Sequence, residues 1–150
     1  MRNALLLFAI LVMTACSKED EKTDYTAEND AEILAYLASN NLIAKSTGSG
    51  LYYIIETEGT GDQPRNSDNV TVAYKGYYAN GVEFDKSNSS GISFNLQGVI
   101  EGWTEGIPYF KEGGRGQLFI PSHLGYGSQD SRGIPGGSVL IFDIHLIQIN

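Results

Sequence analysis

Cysteine is almost absent from this sequence, because Cys16 is the only one among 150 residues. A single cysteine excludes a disulfide bond within the chain and a metal site built from several thiolates. Histidine is also scarce: only His123 and His145 occur, and neither belongs to an H-E-x-x-H motif or a similar metal-ligand spacing. A G-x-S-x-G motif is missing too. The sequence therefore lacks the parts for nucleophilic or metal-dependent catalysis.

Positive charge is in short supply as well. Ten lysine and arginine residues stand against 18 acidic residues, which gives a formal net charge of −8. Because nucleic-acid binding requires a basic patch, no nucleic-acid partner is expected. Seven of the acidic residues and only two lysines fall within residues 16–32. We interpret residues 16–29 as a solvated acidic tether, which also resembles the signals that direct some Gram-negative lipoproteins to the cell surface.

A hydrophobic run long enough to span a bilayer is not found either. Residues 4–13 are apolar but too few to cross a membrane, and Arg2 precedes them. The run ends in M-T-A-C, with small residues directly before Cys16. Residues 1–15 are therefore interpreted as a bacterial lipoprotein signal peptide, with Cys16 as the lipidated residue. The alternative is an ordinary secretory signal with a chance cysteine.

This interpretation predicts a location for the protein. We expect an exported lipoprotein that is anchored to the membrane through the Cys16 lipid. The protein would face the periplasm or lie on the cell surface of a Gram-negative bacterium.

Glycine is missing from the first 47 residues, whereas all 18 glycines occur at Gly48 or later. Before this boundary, Ile33, Leu34 and Leu37 recur at helical spacing, which predicts an N-terminal helix and linker over residues 30–48. Such a narrow apolar stripe could pack on the following domain, on a partner or on a second copy of the chain. The helix is short, so we expect a monomer rather than a dimer.

From residue 49 onward the sequence predicts short strands and turns. The predicted strands cover residues 51–58, 70–78, 82–84, 92–96, 115–120 and 139–149. A short helix is predicted to begin at Glu101, and residues 122–137 form a long glycine-rich loop. This order predicts an α+β domain over residues 49–150, in which a twisted antiparallel sheet of five to six strands wraps around one short helix.

The chemistry-bearing residues of this domain are mostly aromatic and β-branched, which suits an apolar pocket with few polar groups. Three ambiguities remain at this level. Trp103 fits either a core position or the bottom of a cavity. Tyr74 and Phe84 fit plain inward-facing core positions equally well, and Asp85 could simply close a turn.

Five motifs occur in a fixed order along the domain. They are V-T-V-A-Y-K-G-Y at 70–77, N-G-V-E-F-D-K-S at 80–87, V-I-E-G-W-T-E-G-I at 99–107, P-S-H-L-G-Y-G at 121–127 and G-I-P-G-G-S-V-L-I-F-D-I-H-L at 133–146. Together they resemble the FKBP-type peptidyl-prolyl cis-trans isomerases, from about residue 51 to the last residue. The resemblance implies a pocket formed by Tyr74, Phe84, Asp85, Val99, Ile100, Trp103, Tyr126, Ile134 and Phe142. It also places Ile92 at a position that is often aromatic in the family.

The resemblance implies an isomerase that needs no cofactor and rotates Xaa-Pro bonds in exported polypeptides. Macrolide inhibitors of the family are candidate ligands. The flap of residues 86–92 is short, serine-rich and without arginine, and the loop reads I-P-G-G-S; both departures bear on inhibitor affinity more than on prolyl binding. A lipid-anchored chaperone or peptide-binding module with little turnover is the alternative. An unrelated β-domain for surface attachment or glycan binding is a third reading.

Overall fold

The computed structural model describes residues 23–150. The predicted signal peptide, Cys16 and the first half of the predicted acidic tether lie outside the described residues. The helices are α1 (Thr26–Ser39) and α2 (Glu101–Gly106), and the strands are β1 (Lys45–Ser46), β2 (Tyr52–Thr57), β3 (Asn69–Tyr77), β4 (Glu83–Lys86), β5 (Ile92–Asn95), β6 (Arg115–Ile120) and β7 (Leu140–Ile149). Short 3-10 turns occur at Leu96–Gly98, Ile107–Tyr109 and Ser122–Leu124.

All seven strands join one antiparallel sheet in the order β1-β2-β6-β7-β3-β4, and β5 also pairs with β3. The predicted fold class is confirmed. The additional strand is β1, whose two residues carry no alternation from which it could be recognised. Because β3 is flanked by β4 and β7, residues that are far apart in sequence become neighbours. Gly76 of β3, for example, pairs with Asp85 on one side and Phe142 on the other.

The helix α2 packs against one face of the sheet, and two glycines allow it to approach closely. A Cβ at Gly102 would lie 2.5 Å from Ile120 Cγ2, and a Cβ at Gly106 would lie 2.7 Å from Leu118 Cδ2. Glycines four residues apart share one helical face, so this face rests directly on β6. The main core lies between them and includes the buried side chains of Leu118, Ile120, Phe142 and Ile144.

The helix α1 packs on the opposite face of the same sheet. Its buried residues Ile33 and Leu37 contact a second cluster that contains Phe119 and Ile141. Phe119 alternates with Leu118 along β6, so the two side chains point to opposite faces. Two residues of the predicted apolar stripe therefore pack within the domain, whereas Leu34 is 46% exposed. The Tyr52 hydroxyl also donates a 2.7 Å hydrogen bond to Asp30.

The bounds of α1 differ from the prediction. The helix begins at Thr26, inside the segment assigned to the tether, because Asp24 Oδ1 accepts hydrogen bonds from both the backbone N–H and the hydroxyl of Thr26. These hydrogen bonds hold the pKa of Asp24 below its usual value. The helix ends at Ser39, and Asn41 adopts a φ of 53°, which turns the chain toward β1. No helix within residues 23–150 has the length and apolar character needed to cross a membrane.

Candidate functional site

A cavity of about 720 Å³ opens between α2, the sheet and the long loop of residues 122–137. All nine residues that the sequence predicted for the site line this cavity. The further lining residues are Phe94, Gly98, Gly125 and Arg132. The volume lies in the range of small-molecule and peptide side-chain pockets.

Trp103 forms the floor of the cavity. Its side chain is only 4% exposed, and it lies in the first turn of α2. Three aromatic rings meet it nearly edge-on: Tyr74 at 5.0 Å, Phe142 at 5.3 Å and Phe94 at 5.4 Å between ring centroids. Edge-to-face contacts of this kind are favourable and hold the rings in fixed orientations. Trp103 therefore belongs to the core and closes the cavity at the same time, which resolves the ambiguity left by the sequence.

The junction before α2 presents a backbone donor to the cavity. Ile100 is the N-cap residue of α2, with extended backbone dihedrals of −60° and 147°, and its carbonyl accepts the first hydrogen bond of the helix from Trp103. The Ile100 N–H donates to no group within residues 23–150. Val99 precedes it in the cavity lining. A ligand carbonyl is the natural acceptor for this N–H, because a backbone donor that loses water needs a partner.

One wall of the cavity is built around Gly76. The Phe84 and Phe142 rings pack perpendicular to each other with centroids 5.5 Å apart. A Cβ at Gly76 would lie 2.7 Å from atoms of both rings. The absence of a side chain at this position therefore allows the two rings to approach each other over β3.

The polar part of this wall is a tyrosine–aspartate pair. The Tyr74 hydroxyl donates a 2.8 Å hydrogen bond to Asp85 Oδ2. Burial, followed by this hydrogen bond and the negative charge of Asp85, raises the pKa of Tyr74 above its ordinary value of 10.0. The hydroxyl is therefore protonated throughout the physiological range and remains a donor to the carboxylate. Asp85 itself is exposed at the rim.

The opposite wall comes from the long loop, which is ordered by its own hydrogen bonds. Gly127 N–H donates to Ser122 O, and Gly137 N–H donates to Gly127 O. A short antiparallel bridge between Ser131 and Ile134 closes its tip. As a result Ile134 is buried while Tyr126 is partly exposed, and both face the cavity. No group within residues 23–150 accepts a hydrogen bond from the Tyr126 hydroxyl.

Four residues that line the cavity were not predicted from the sequence. Ile92, which takes a place that is often aromatic in the family, is 43% exposed and does not line the cavity. Phe94 supplies the ring instead. The two residues share a face of β5, but Ile92 lies at the outer start of the strand and Phe94 lies over Trp103. Strand alternation was the signal that could have found Phe94.

Arg132 is the second residue that was missed. The expected flap of residues 86–92 contains no arginine, yet Arg132 reaches the cavity from the opposite loop. It adopts a φ of 52°, and Gly133 follows with a φ of 82°. Arginine in the left-handed region is uncommon, and no sequence pattern marks it. Gly98 and Gly125 line the cavity with backbone alone.

The arrangement suits binding and not proton transfer or covalent chemistry. Its surface is aromatic and aliphatic, with a few polar groups at the rim. Within residues 23–150, no three His, Cys, Asp or Glu side chains cluster as metal ligands would. The cavity can enclose a small apolar ring, exclude water from it and hold the adjoining carbonyl groups with a backbone N–H and a phenol hydroxyl.

Comparison with known proteins agrees with this site. The family model of the FKBP-type peptidyl-prolyl cis-trans isomerases matches residues 61–147. The Escherichia coli (strain K12) FKBP-type peptidyl-prolyl cis-trans isomerase FkpA is 45% identical over 107 residues, which cover 70% of this chain and 40% of the relative. The chain thus spans less than half of that relative's length.

Solved structures give the same result. The crystal structure of Escherichia coli FkpA matches with a TM-score of 0.74 and 40% identity, and the match covers 83% of this chain and 61% of that chain. The 1.6 Å structure of a Pseudomonas syringae peptidyl-prolyl cis-trans isomerase matches with a TM-score of 0.72 and 30% identity, over 85% of this chain and 97% of that one. This chain belongs to the FKBP-type peptidyl-prolyl cis-trans isomerase family.

Proposed function

We propose that this protein catalyses cis-trans rotation of Xaa-Pro peptide bonds by enclosing the proline ring over Trp103. The main support for the proposal is the floor of the cavity. There Trp103 is buried and contacts the rings of Tyr74, Phe94 and Phe142. A pyrrolidine ring is compact and apolar, so it matches a pocket of this shape and lining.

The mechanism follows from the electronic structure of the amide. Rotation about the bond crosses a barrier of about 18–20 kcal/mol because the twisted amide loses its resonance. The twisted amide has less charge separation than the planar one, so an apolar, water-poor pocket favours it relative to the ground state. Each reduction of the barrier by about 1.4 kcal/mol raises the rate tenfold. The pocket needs no general acid, general base or nucleophile for this effect.

Polar groups at the edge of the pocket would orient the substrate. Ile100 and Tyr126 both line the cavity, and neither the Ile100 N–H nor the Tyr126 hydroxyl has an acceptor within residues 23–150. Each would donate a hydrogen bond to a carbonyl group of the bound peptide. Asp85, held by Tyr74, would shape the polar side of the rim.

The substrates and location that we propose come from the sequence. The M-T-A-C segment supports lipidation of Cys16, which would hold the enzyme at a membrane and give it access to exported polypeptides that fold nearby. A proline bond isomerises slowly without a catalyst, over tens to hundreds of seconds, so newly exported chains are suitable clients. Macrolide inhibitors of the family would enter the same cavity. We keep the monomer as the proposed assembly.

A paired assay separates catalysis from simple binding. The protein is incubated with a tetrapeptide that contains one Xaa-Pro bond, and the rate of approach to the cis-trans equilibrium is followed. In parallel, the protein is tested for suppression of aggregation of a proline-free unfolded client. An enzyme accelerates the first process in proportion to its concentration. Suppression of aggregation without acceleration would instead support the chaperone or peptide-binding module.

A further inference from the structure

The buried side chain of Asn29 connects α1 to both ends of the long loop. Asn29 lies in the first turn of the helix and is only 2% exposed. Its amide nitrogen donates a 2.8 Å hydrogen bond to Gly137 O, and its amide oxygen accepts a 2.7 Å hydrogen bond from Ser122 N–H. These partners lie 108 and 93 residues away in sequence. A primary amide satisfies both ends at once because it carries a donor and an acceptor.

These two contacts act on the loop that carries one wall of the cavity. Ser122 and Gly137 are the first and last residues of the segment 122–137. Between them, Ser122 O accepts from Gly127 N–H, and Gly127 O accepts from Gly137 N–H. Gly127 directly follows Tyr126. The Asn29 amide therefore completes a chain of hydrogen bonds that closes the loop at Gly127, the residue next to Tyr126 in sequence.

Tyr25, directly before α1, packs against the last residue of the loop. The Tyr25 ring lies against Gly137, where a Cβ would come within 2.7 Å of the ring, and Gly137 adopts a φ of 77°. Side-chain packing holds α1 itself in place, because Ile33 and Leu37 are buried on the sheet. The helix is thus a fixed support against which the loop rests.

We propose that Asn29 is a positioning residue of the prolyl pocket, which couples the N-terminal helix to the placement of Tyr126 and Ile134. Asn29 does not line the cavity and touches no substrate. Its effect passes through the two ends of the loop. The proposal rests on the proposed function, because the pocket residues matter only if the pocket binds a prolyl segment.

Loss of the Asn29 hydrogen bonds should lower the fraction of molecules in which the loop holds Tyr126 in place. A glycine-rich loop of this length has many conformations available once its ends are released. If only a fraction of molecules holds Tyr126 in place, the apparent dissociation constant rises by the inverse of that fraction. Chemistry in the properly formed pocket is unaffected, so KM rises while kcat stays nearly constant.

The test compares Asn29→Ala with Leu37→Ala in the full chain. Leu37 is buried in the same helix and belongs to the sheet-facing cluster, so it controls for loss of helix packing. Amide hydrogen exchange reports on Ser122, Gly127 and Gly137, and isomerisation kinetics report on KM and kcat. We expect Asn29→Ala to speed exchange at these amides about tenfold or more and to raise KM about 3- to 10-fold. Leu37→Ala should lower the free energy of unfolding but change KM and the exchange of these amides much less, because both hydrogen bonds of Asn29 remain.

Two further variants keep the test decisive if Asn29→Ala folds poorly. Asn29→Asp retains the acceptor for Ser122 N–H but loses the donor to Gly137 O, so Ser122 should stay protected while Gly137 is released. Tyr25→Ala leaves both hydrogen bonds but uncovers Gly137, and the ring is only partly buried. Unchanged exchange at Gly137 in both variants would overturn the proposal.

The readouts also separate this proposal from the proposed function. If the wild-type protein shows no isomerisation, the proposed function fails, while amide exchange still shows whether Asn29 holds the loop. If isomerisation is present and Asn29→Ala gives the same KM and loop exchange as Leu37→Ala, the positioning role fails and the proposed function stands.

Discussion

The Tyr74 hydroxyl donates a 2.8 Å hydrogen bond to Asp85 Oδ2 across the junction between β3 and β4. It is the one hydrogen bond that the Asp85 side chain makes within residues 23–150, and no cation of that part of the chain pairs with it. The orientation of the carboxylate at the rim therefore depends on a tyrosine whose ring is itself fixed against Trp103.

Removing the Tyr74 hydroxyl should weaken catalysis without unfolding the protein. In Tyr74→Phe the ring keeps its packing on Trp103, but Asp85 loses its partner. Since Asp85 is exposed and can bind water instead, we expect kcat/KM to fall only about 2- to 5-fold and the free energy of unfolding to change by less than about 1.5 kcal/mol. Tyr109→Phe is the matched control, because Tyr109 stacks on Tyr53 and does not line the cavity. An equal fall in kcat/KM in Tyr109→Phe would contradict a specific role of the Tyr74 hydroxyl in orienting Asp85.

The Tyr126 hydroxyl should act on substrate and not on the fold. Within residues 23–150 it has no hydrogen-bond acceptor, so Tyr126→Phe removes no internal interaction. We expect thermal unfolding to be unchanged and kcat/KM to fall about 3- to 10-fold, the effect of one lost hydrogen bond to a bound carbonyl. Chemical denaturation and peptide kinetics on the same sample provide the check. Equal kcat/KM in the variant and the wild type would remove Tyr126 from the substrate contacts.

Gly76 should be intolerant of a side chain, whereas Gly98 should accept one. A methyl group at Gly76 would collide with the Phe84 and Phe142 rings, while a Cβ at Gly98 meets no atom within 4 Å. Gly98 lines the cavity and Gly76 lies against two of its lining rings, so the pair forms a matched comparison. We expect Gly76→Ala to weaken the quenching of Trp103 fluorescence by a proline peptide at least several-fold, because displaced rings change the pocket. Binding by Gly98→Ala should stay near wild type. Equal binding by the two variants would contradict the packing argument.

The stability of the protein should depend on the protonation of His145. Desolvation, followed by the charge of Arg115, holds the pKa of His145 below its ordinary value of 6.5. A lowered folded-state pKa means that folding favours the neutral form of His145. The contribution of this histidine to the free energy of unfolding is therefore present above pH 6.5, and it is lost as the pH falls through the folded-state pKa. We expect the free energy of unfolding to fall on acidification from neutral pH, and to fall less in His145→Gln.

Denaturant titrations from about pH 7.5 to about pH 5.5 provide the measurement, since carboxyl groups ordinarily titrate below this window. Identical pH profiles for the wild type and His145→Gln would show that burial and the charge of Arg115 do not influence this histidine.

Motifs in the sequence predicted most of the site because each one is a run of strand or helix-start residues with a fixed spacing. V-T-V-A-Y-K-G-Y placed Tyr74 and Gly76 on β3, and V-I-E-G-W located the start of α2. The sequence also predicted six of the seven strands, because short runs of β-branched and aromatic residues between turn residues mark them. The strand of Lys45 and Ser46 has too few residues to alternate.

Features that depend on long-range packing were beyond prediction. The contribution of Phe94 required the pairing of β5 with β3, and that of Arg132 required the path of an irregular loop. The contacts of Asn29 with residues 93 and 108 positions away leave no local pattern in the sequence. The start of α1 was displaced for a similar reason, since Asp24 and Thr26 resemble other polar residues of an acidic segment.

The measurement that tests the central claim most directly is NMR exchange spectroscopy on a short Xaa-Pro peptide with micromolar protein. The account predicts cis-trans exchange cross-peaks that grow with protein concentration, weaken in Tyr126→Phe and Asp85→Val, and remain in Tyr109→Phe. An exchange rate equal to that of the peptide alone, with protein whose Trp103 fluorescence still reports binding, would contradict catalysis and leave a proline-binding module.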